Sequence, residues 1–128
     1  AEITHNEERF FLKNQGAQDL GRYDFLKDIQ RLENYVSHNK SATGYAILIT
    51  NDPSYWSPSS NQNTVDSAFR LHEKRRLDRM MKWSETASEG TIKTRKKPIS
   101  LNKYYGMLWA KYSQECGDFR CLLVAVSS

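Results

Sequence analysis

The sequence predicts one α/β domain, with an α+β arrangement as its near neighbour, built on a central mixed sheet flanked by helices. Three observations predict it. An amphipathic stretch from Tyr23 to His38 feeds through a polar break into the continuous apolar run Gly44–Thr50, and another apolar run lies at Phe119–Val126. A helix that leads straight into a short run apolar at every position reads as a layer of helix on sheet. With 128 residues, 38% of them hydrophobic, the chain can bury one core and is expected to form a single domain over residues 1–128.

The first element is thin. Phe10, Phe11 and Leu12 make one short strand with few residues ahead of it, so the sheet is expected to be completed by residues upstream or by a partner copy. Asp19 to Gly21 then form a turn, and Asp24 is the expected cap of the helix Tyr23–His38. Within it Phe25, Ile29, Leu32 and Val36 recur at the spacing of one helical face and Leu26 widens the stripe. Lys27, Asp28, Gln30, Arg31, Glu33 and Asn34 fall elsewhere. Gly44–Thr50, ended by Asn51-Asp52-Pro53, is expected to be a strand buried on both faces.

Ser54–Asn63, rich in Ser, Asn and Pro, reads as a loop, with Tyr55 and Trp56 packed against the body. A second helix is expected from Thr64 or Asp66 to Arg75, turning Val65 and Phe69 inward. Met80–Leu101 has no regular period and reads as a long surface loop. Tyr104–Tyr112 fits a strand through Tyr105, Met107 and Trp109, and a helix face through Tyr105, Leu108, Trp109 and Tyr112; the strand is preferred. Phe119–Val126 is expected to be a second buried strand, entered through the turn Glu115–Asp118.

Composition excludes several classes. No apolar run approaches the ~20 residues of a membrane-crossing helix, and the start lacks the basic, then apolar, then small-residue order of a secretory signal, so a cytoplasmic protein with no membrane partner is expected. Lys and Arg number 19 against 15 Asp and Glu, a net charge of +4 that suits a polyanionic partner. Cys116 and Cys121 have neither the spacing of a zinc hook nor that of a secreted disulfide framework, and read as structural thiols.

Three polar clusters are candidates for chemistry. Asn14–Asp24 lies between strand and helix: Gly16 and Gly21 permit close approach, Arg22 has the fork for a phosphate, and Asp19 and Asp24 have the hard oxygens Mg²⁺ prefers. The plainer reading is a cap, a turn and an ion pair. In Arg70–Arg76, His72 stands beside Glu73 without the second His one turn away that a zinc helix needs. The stronger reading is basic residues complementing a helix C-terminus beside a packed His72; the functional one has Arg70, Arg75 or Arg76 touching phosphates. Lys93-Thr94-Arg95-Lys96-Lys97, set between Trp83 and the aromatics Tyr104, Tyr105 and Trp109, suits nucleic acid; a solvated charged loop is the alternative.

Four segments carry a resemblance: FLKNQGAQDLGRYDFLKDIQRLE at Phe11–Glu33, GYAILITNDPSYW at Gly44–Trp56, VDSAFRLHEKRRLDRMMKW at Val65–Trp83, and the end from PISL at Pro98 through FRCLLVAV. Through them the chain resembles bacterial proteins of the restriction-endonuclease-like, PD-(D/E)XK, nuclease superfamily. The resemblance implies a sheet whose carboxylates and lysine bind Mg²⁺ and activate water to cut DNA. It places Gln18, Asp19, Arg22 and Asp24 at the catalytic centre, Gln15, Tyr23, His72, Glu73, Arg75 and Lys96 on the substrate, and Asp19 with Glu2 on the metal. The Asp and Glu-x-Lys of that superfamily belong upstream of Phe11, where this chain has Glu2-Ile3-Thr4, with Thr4 in place of the lysine. The expectation is therefore a Mg²⁺-dependent nuclease-like domain acting on nucleic acid, DNA before RNA. The alternative is a non-catalytic nucleic-acid-binding module or a homodimeric interaction module.

Overall fold

The computed structural model describes residues 2–5, 8–11, 18–61, 63–115 and 117–128, with the backbone alone described for 2–5, 8–11 and 91. The chain forms a small α+β domain. A hairpin of β1 (Glu2–His5) and β2 (Glu8–Phe11) precedes the long helix α1 (Gln18–His38) and the strand β3 (Thr43–Thr50). The middle holds the 3₁₀ turns Pro53–Tyr55 and Ser67–Phe69, a ladder of β4 (Met80–Met81) with β5 (Ile99–Ser100), and between these strands the short helix α2 (Glu89–Ile92). Strands β6 (Trp109–Ser113) and β7 (Phe119–Ser127) follow. No helix among the described residues is long and apolar enough to cross a membrane.

The main sheet has the order β3-β7-β6 and every pair in it is antiparallel, where the sequence reading expected a mixed sheet. The long strand β7 lies between the other two and pairs with β3 from Thr43↔Ser127 to Thr50↔Arg120. Helix α1 covers one face. Its Phe25, Leu26, Ile29 and Val36 are buried with Ala46, Leu122, Val124 and Val126 of the sheet. Gly44 permits the close approach, since a Cβ there would lie 2.6 Å from Leu32 Cδ2.

Three expectations about elements are corrected. The helix begins at Gln18 rather than at Tyr23, so Asp24 lies inside it and does not cap it. The expected helix Thr64–Arg75 is a single 3₁₀ turn. Arginine there binds carbonyls within the expected helix, Arg75 donating to Ala68 O and Arg70 O, while Arg70 donates back to Asn61 O ahead of it. A left-handed residue, Lys74 at φ 68°, then turns the chain. The segment Met80–Leu101 is not a surface loop, because it sends Met81, Trp83, Ile99 and Leu101 into the core.

There Trp83 stacks on Tyr23 at 5.8 Å and meets Phe69 edge-on at 4.8 Å, geometries that add to the burial of their rings. Tyr55 and Trp56 are buried as expected; of the strand preferred over Tyr104–Tyr112, only the part from Trp109 lies in a strand, β6, with Tyr105 and Met107 ahead of it. The fourth correction concerns β3, which is not buried on both faces. Ala46 and Thr50 point under α1, while Tyr45, Ile47 and Ile49 point away and are exposed. The run is apolar at every position, yet only alternate side chains reach the core.

Candidate nucleic-acid interface

Tyr23 and Lys27 are four residues apart on α1 and therefore share a face of the helix. Against that face lies the segment that follows α2. Three bonds hold it there: the Tyr23 hydroxyl donates to Lys97 O at 2.7 Å, the Trp83 indole donates to Arg95 O at 2.8 Å, and Arg95 forms a two-pronged pair with Asp24 at 2.7 and 2.9 Å. Burial, followed by the charge of Asp24, raises the Tyr23 hydroxyl above its usual range, so it keeps its proton as a donor. Hydrogen bonding to Asp24 likewise holds the Arg95 guanidinium above its ordinary value.

Arg95 is thus spent on the helix, and the neighbouring lysines are left outward. Lys27, Lys93, Lys96 and Lys97 line a cleft of about 360 Å³ with Tyr23 and Thr94, and no carboxylate is among its lining residues. Two residues expected on the substrate, Tyr23 and Lys96, are brought together here. Sequence reasoning named the basic loop but not Lys27; the signal was its position one turn after Tyr23.

Of the expected catalytic group, Gln18 and Arg22, one turn apart, meet at the Asp52–Ser54 turn, while Asp24 is engaged by Arg95. The Gln18 amide donates to Asp52 at 3.0 Å, and Asp19 accepts the Leu20 N–H at 2.9 Å. Arg22 is buried in an ion pair with Asp66 at 2.8 Å, donates to Ser54 O at 3.0 Å, and lies over the Tyr55 ring at 5.2 Å. It also lines a cavity of about 450 Å³ with Arg70 and Thr64, but Asp66 already meets its charge. Burial alone would raise Asp52; hydrogen bonds from Gln18 and Ser54, with the charge of Arg22, outweigh it and hold the carboxyl below its usual value.

Among the residues expected to support substrate, Glu73 accepts the Trp109 N–H at 2.7 Å, and Arg75 ties the turn carbonyls together with Asp78 at 3.8 Å. His72 is half-buried, and its Nδ1 is buried with no hydrogen-bond partner among the described residues. Burial first, then the charges of Arg75 and Arg70, push its pKa down. Gln15, Cys116 and the side chain of Glu2 lie outside the described residues.

Among the described residues, the carboxylates expected near Mg²⁺ do not converge on one cation. Asp19 and Asp24, five positions apart, project about 140° apart around the helix, and both Asp24 oxygens are engaged by Arg95. No group of three or more His, Cys, Asp or Glu able to hold a metal occurs among the described residues. Comparison with family models, curated proteins and solved structures finds no match.

Proposed function

We propose that this domain binds nucleic acid, DNA in the first instance, by seating the phosphate backbone in the four-lysine cleft. The observation that carries the reading is the convergence of Lys27 from α1 with Lys93, Lys96 and Lys97 on one concavity that no carboxylate lines. Lysines attract phosphates as point charges on flexible stems and read no sequence, and the Tyr23 ring, buried in the core, is not offered for stacking on bases. The expected mode is therefore backbone binding with little base preference. The restriction-endonuclease-like resemblance supports a nucleic-acid partner. Cleavage is left out of the proposal because Asp52, Asp66 and Asp24 are already engaged by Gln18, Arg22 and Arg95.

Fluorescence anisotropy with a short DNA duplex tests it. Four phosphate contacts give a slope of about −3.6 in log K against log salt, so affinity falls about 150-fold between about 50 and about 200 mM salt. The double variant Lys93→Gln/Lys97→Gln should halve that slope and reduce the fall to about 12-fold. Lys111→Gln, outside the cleft, should change neither. Equal salt dependence in wild type and the double variant would remove the cleft from the binding surface.

A further inference from the structure

The sheet face opposite α1 carries apolar side chains that the domain does not cover. Register places them in rows: Tyr45 beside Ala125, Ile47 beside Leu123, and Ile49 beside Cys121 and Ala110. Tyr45 is 57% exposed, Ile47 58%, Ile49 40% and Leu123 53%. Leu108, one residue ahead of the Trp109↔Leu122 pair, is 66% exposed. These rows hold no Lys, Arg, Asp or Glu. A continuous uncharged apolar surface of this kind is the mark of an interaction site.

We propose that this face packs against the same face of a second copy of the chain, in a two-fold, sheet-on-sheet homodimer. Charge favours self-association: the chain carries +4 overall, but rows free of formal charge can meet their own image without repulsion. A polyanion would find no cation on this face. Area favours it as well. Strands β3 and β7 of eight and nine residues and β6 of five, at about 3.3 Å per residue and about 4.8 Å apart, give a face about 14 Å wide that is about 26 Å long on two strands and about 16 Å on the third. Two such faces have a flat outline of roughly 660 Å² together, and the relief of the exposed Tyr, Ile and Leu side chains brings the area removed from water toward about 1,000 Å², the size of a weak, transient interface. The β1–β2 hairpin, with four residues in each strand, spans only about 13 by 10 Å and is too small to cover the face. The dimer is thus expected to be reversible, with micromolar dissociation. Its formation does not depend on the binding proposed for the lysine cleft.

Sedimentation and light scattering from about 1 to about 300 µM protein span the micromolar range and test the proposal. The expected result is a rise from 14.9 kDa toward twice that mass. Leu123→Lys, on the central strand, should hold the chain monomeric with unchanged helical circular dichroism. Should that variant misfold, Ile47→Lys tests the same face. In a Cys116→Ser background, a short bis-maleimide should couple Cys121 to Cys121 in the wild-type face and fail once Leu123→Lys is added. A monomer at every concentration would overturn the proposal, as would a dimer that survives both lysine substitutions.

Discussion

Removing the Glu33 side chain should cost more than any surface substitution on α1. Glu33 is only 6% exposed, and its carboxylate gathers three donors from the segment after β5: the N–H of Asn102 at 2.8 and 3.1 Å, the N–H of Lys103 at 3.3 Å, and the Tyr105 hydroxyl at 2.8 Å. Hydrogen bonds to a charged acceptor contribute about 1.5–3 kcal/mol each, and a buried donor left without one costs about 1–3 kcal/mol. The three donors share one acceptor, and a cavity of about 170 Å³ beside Glu33 lets water reach the site. Glu33→Ala is therefore expected to lose about 3 kcal/mol rather than the sum, near 10 °C in Tm for a domain of this size. Glu33→Gln, which keeps one acceptor, should lose about half as much.

Urea unfolding followed by circular dichroism measures this loss, with an unchanged m value showing that the native state is intact. A second readout isolates the contact. Burial, then the hydrogen bond to Glu33 and its charge, raises the Tyr105 hydroxyl well above the ordinary tyrosine value. Because its folded pKa lies above the unfolded one, the native state holds this proton longer, and the stability it contributes is lost as pH rises past about 10. In Glu33→Gln the late-titrating tyrosine should move back toward its fellows. A loss under about 1 kcal/mol in Glu33→Ala, with an unmoved tyrosine titration in Glu33→Gln, would refute the reasoning.

The buried pair Arg22–Asp66 should show strong coupling: Asp66→Leu or Arg22→Met alone is expected to cost about 3–5 kcal/mol, and the double variant Arg22→Met/Asp66→Leu to regain much of it, measured as a thermodynamic cycle. The acid limb of stability should begin at His72. Its folded pKa is depressed below 6.5, so the unfolded chain takes up the proton first and stability falls as pH drops through that value; Asp52, held below 3.8, adds a further loss at lower pH. Urea midpoints measured against pH should lose the upper part of this decline in His72→Gln, and an unchanged profile in that variant would exclude His72 as its source.

The legible parts of the fold were those where local pattern and tertiary demand agree. The stripe Phe25, Leu26, Ile29 and Val36 faces the core because nothing competes with its period, and β7 matched its expected range to within one residue. Strand β3 was placed well and oriented wrongly: hydrophobic character marked Tyr45, Ile47 and Ile49 as interior, whereas only one face of the sheet has a covering layer. The stretch from Thr64 to Arg75 was misread because long-range partners decide it. Asp66 is claimed by Arg22, forty-four positions earlier, and no local rule foretells that pairing. In the basic loop the residue types were visible, but which cations face outward depended on Asp24 taking Arg95 and Tyr23 taking the Lys97 carbonyl.

The strand in the middle of the sheet, β7, comes after every element it joins, and its partner β3 ends far upstream at Thr50. On a ribosome, α1 and β3 emerge early and must wait with their apolar sides unpaired until β7 has cleared the exit tunnel. At about 5–20 residues per second that wait lasts several seconds. The domain is therefore expected to fold only once β7 has emerged, with the nascent chain until then a client for chaperones that shield exposed strands.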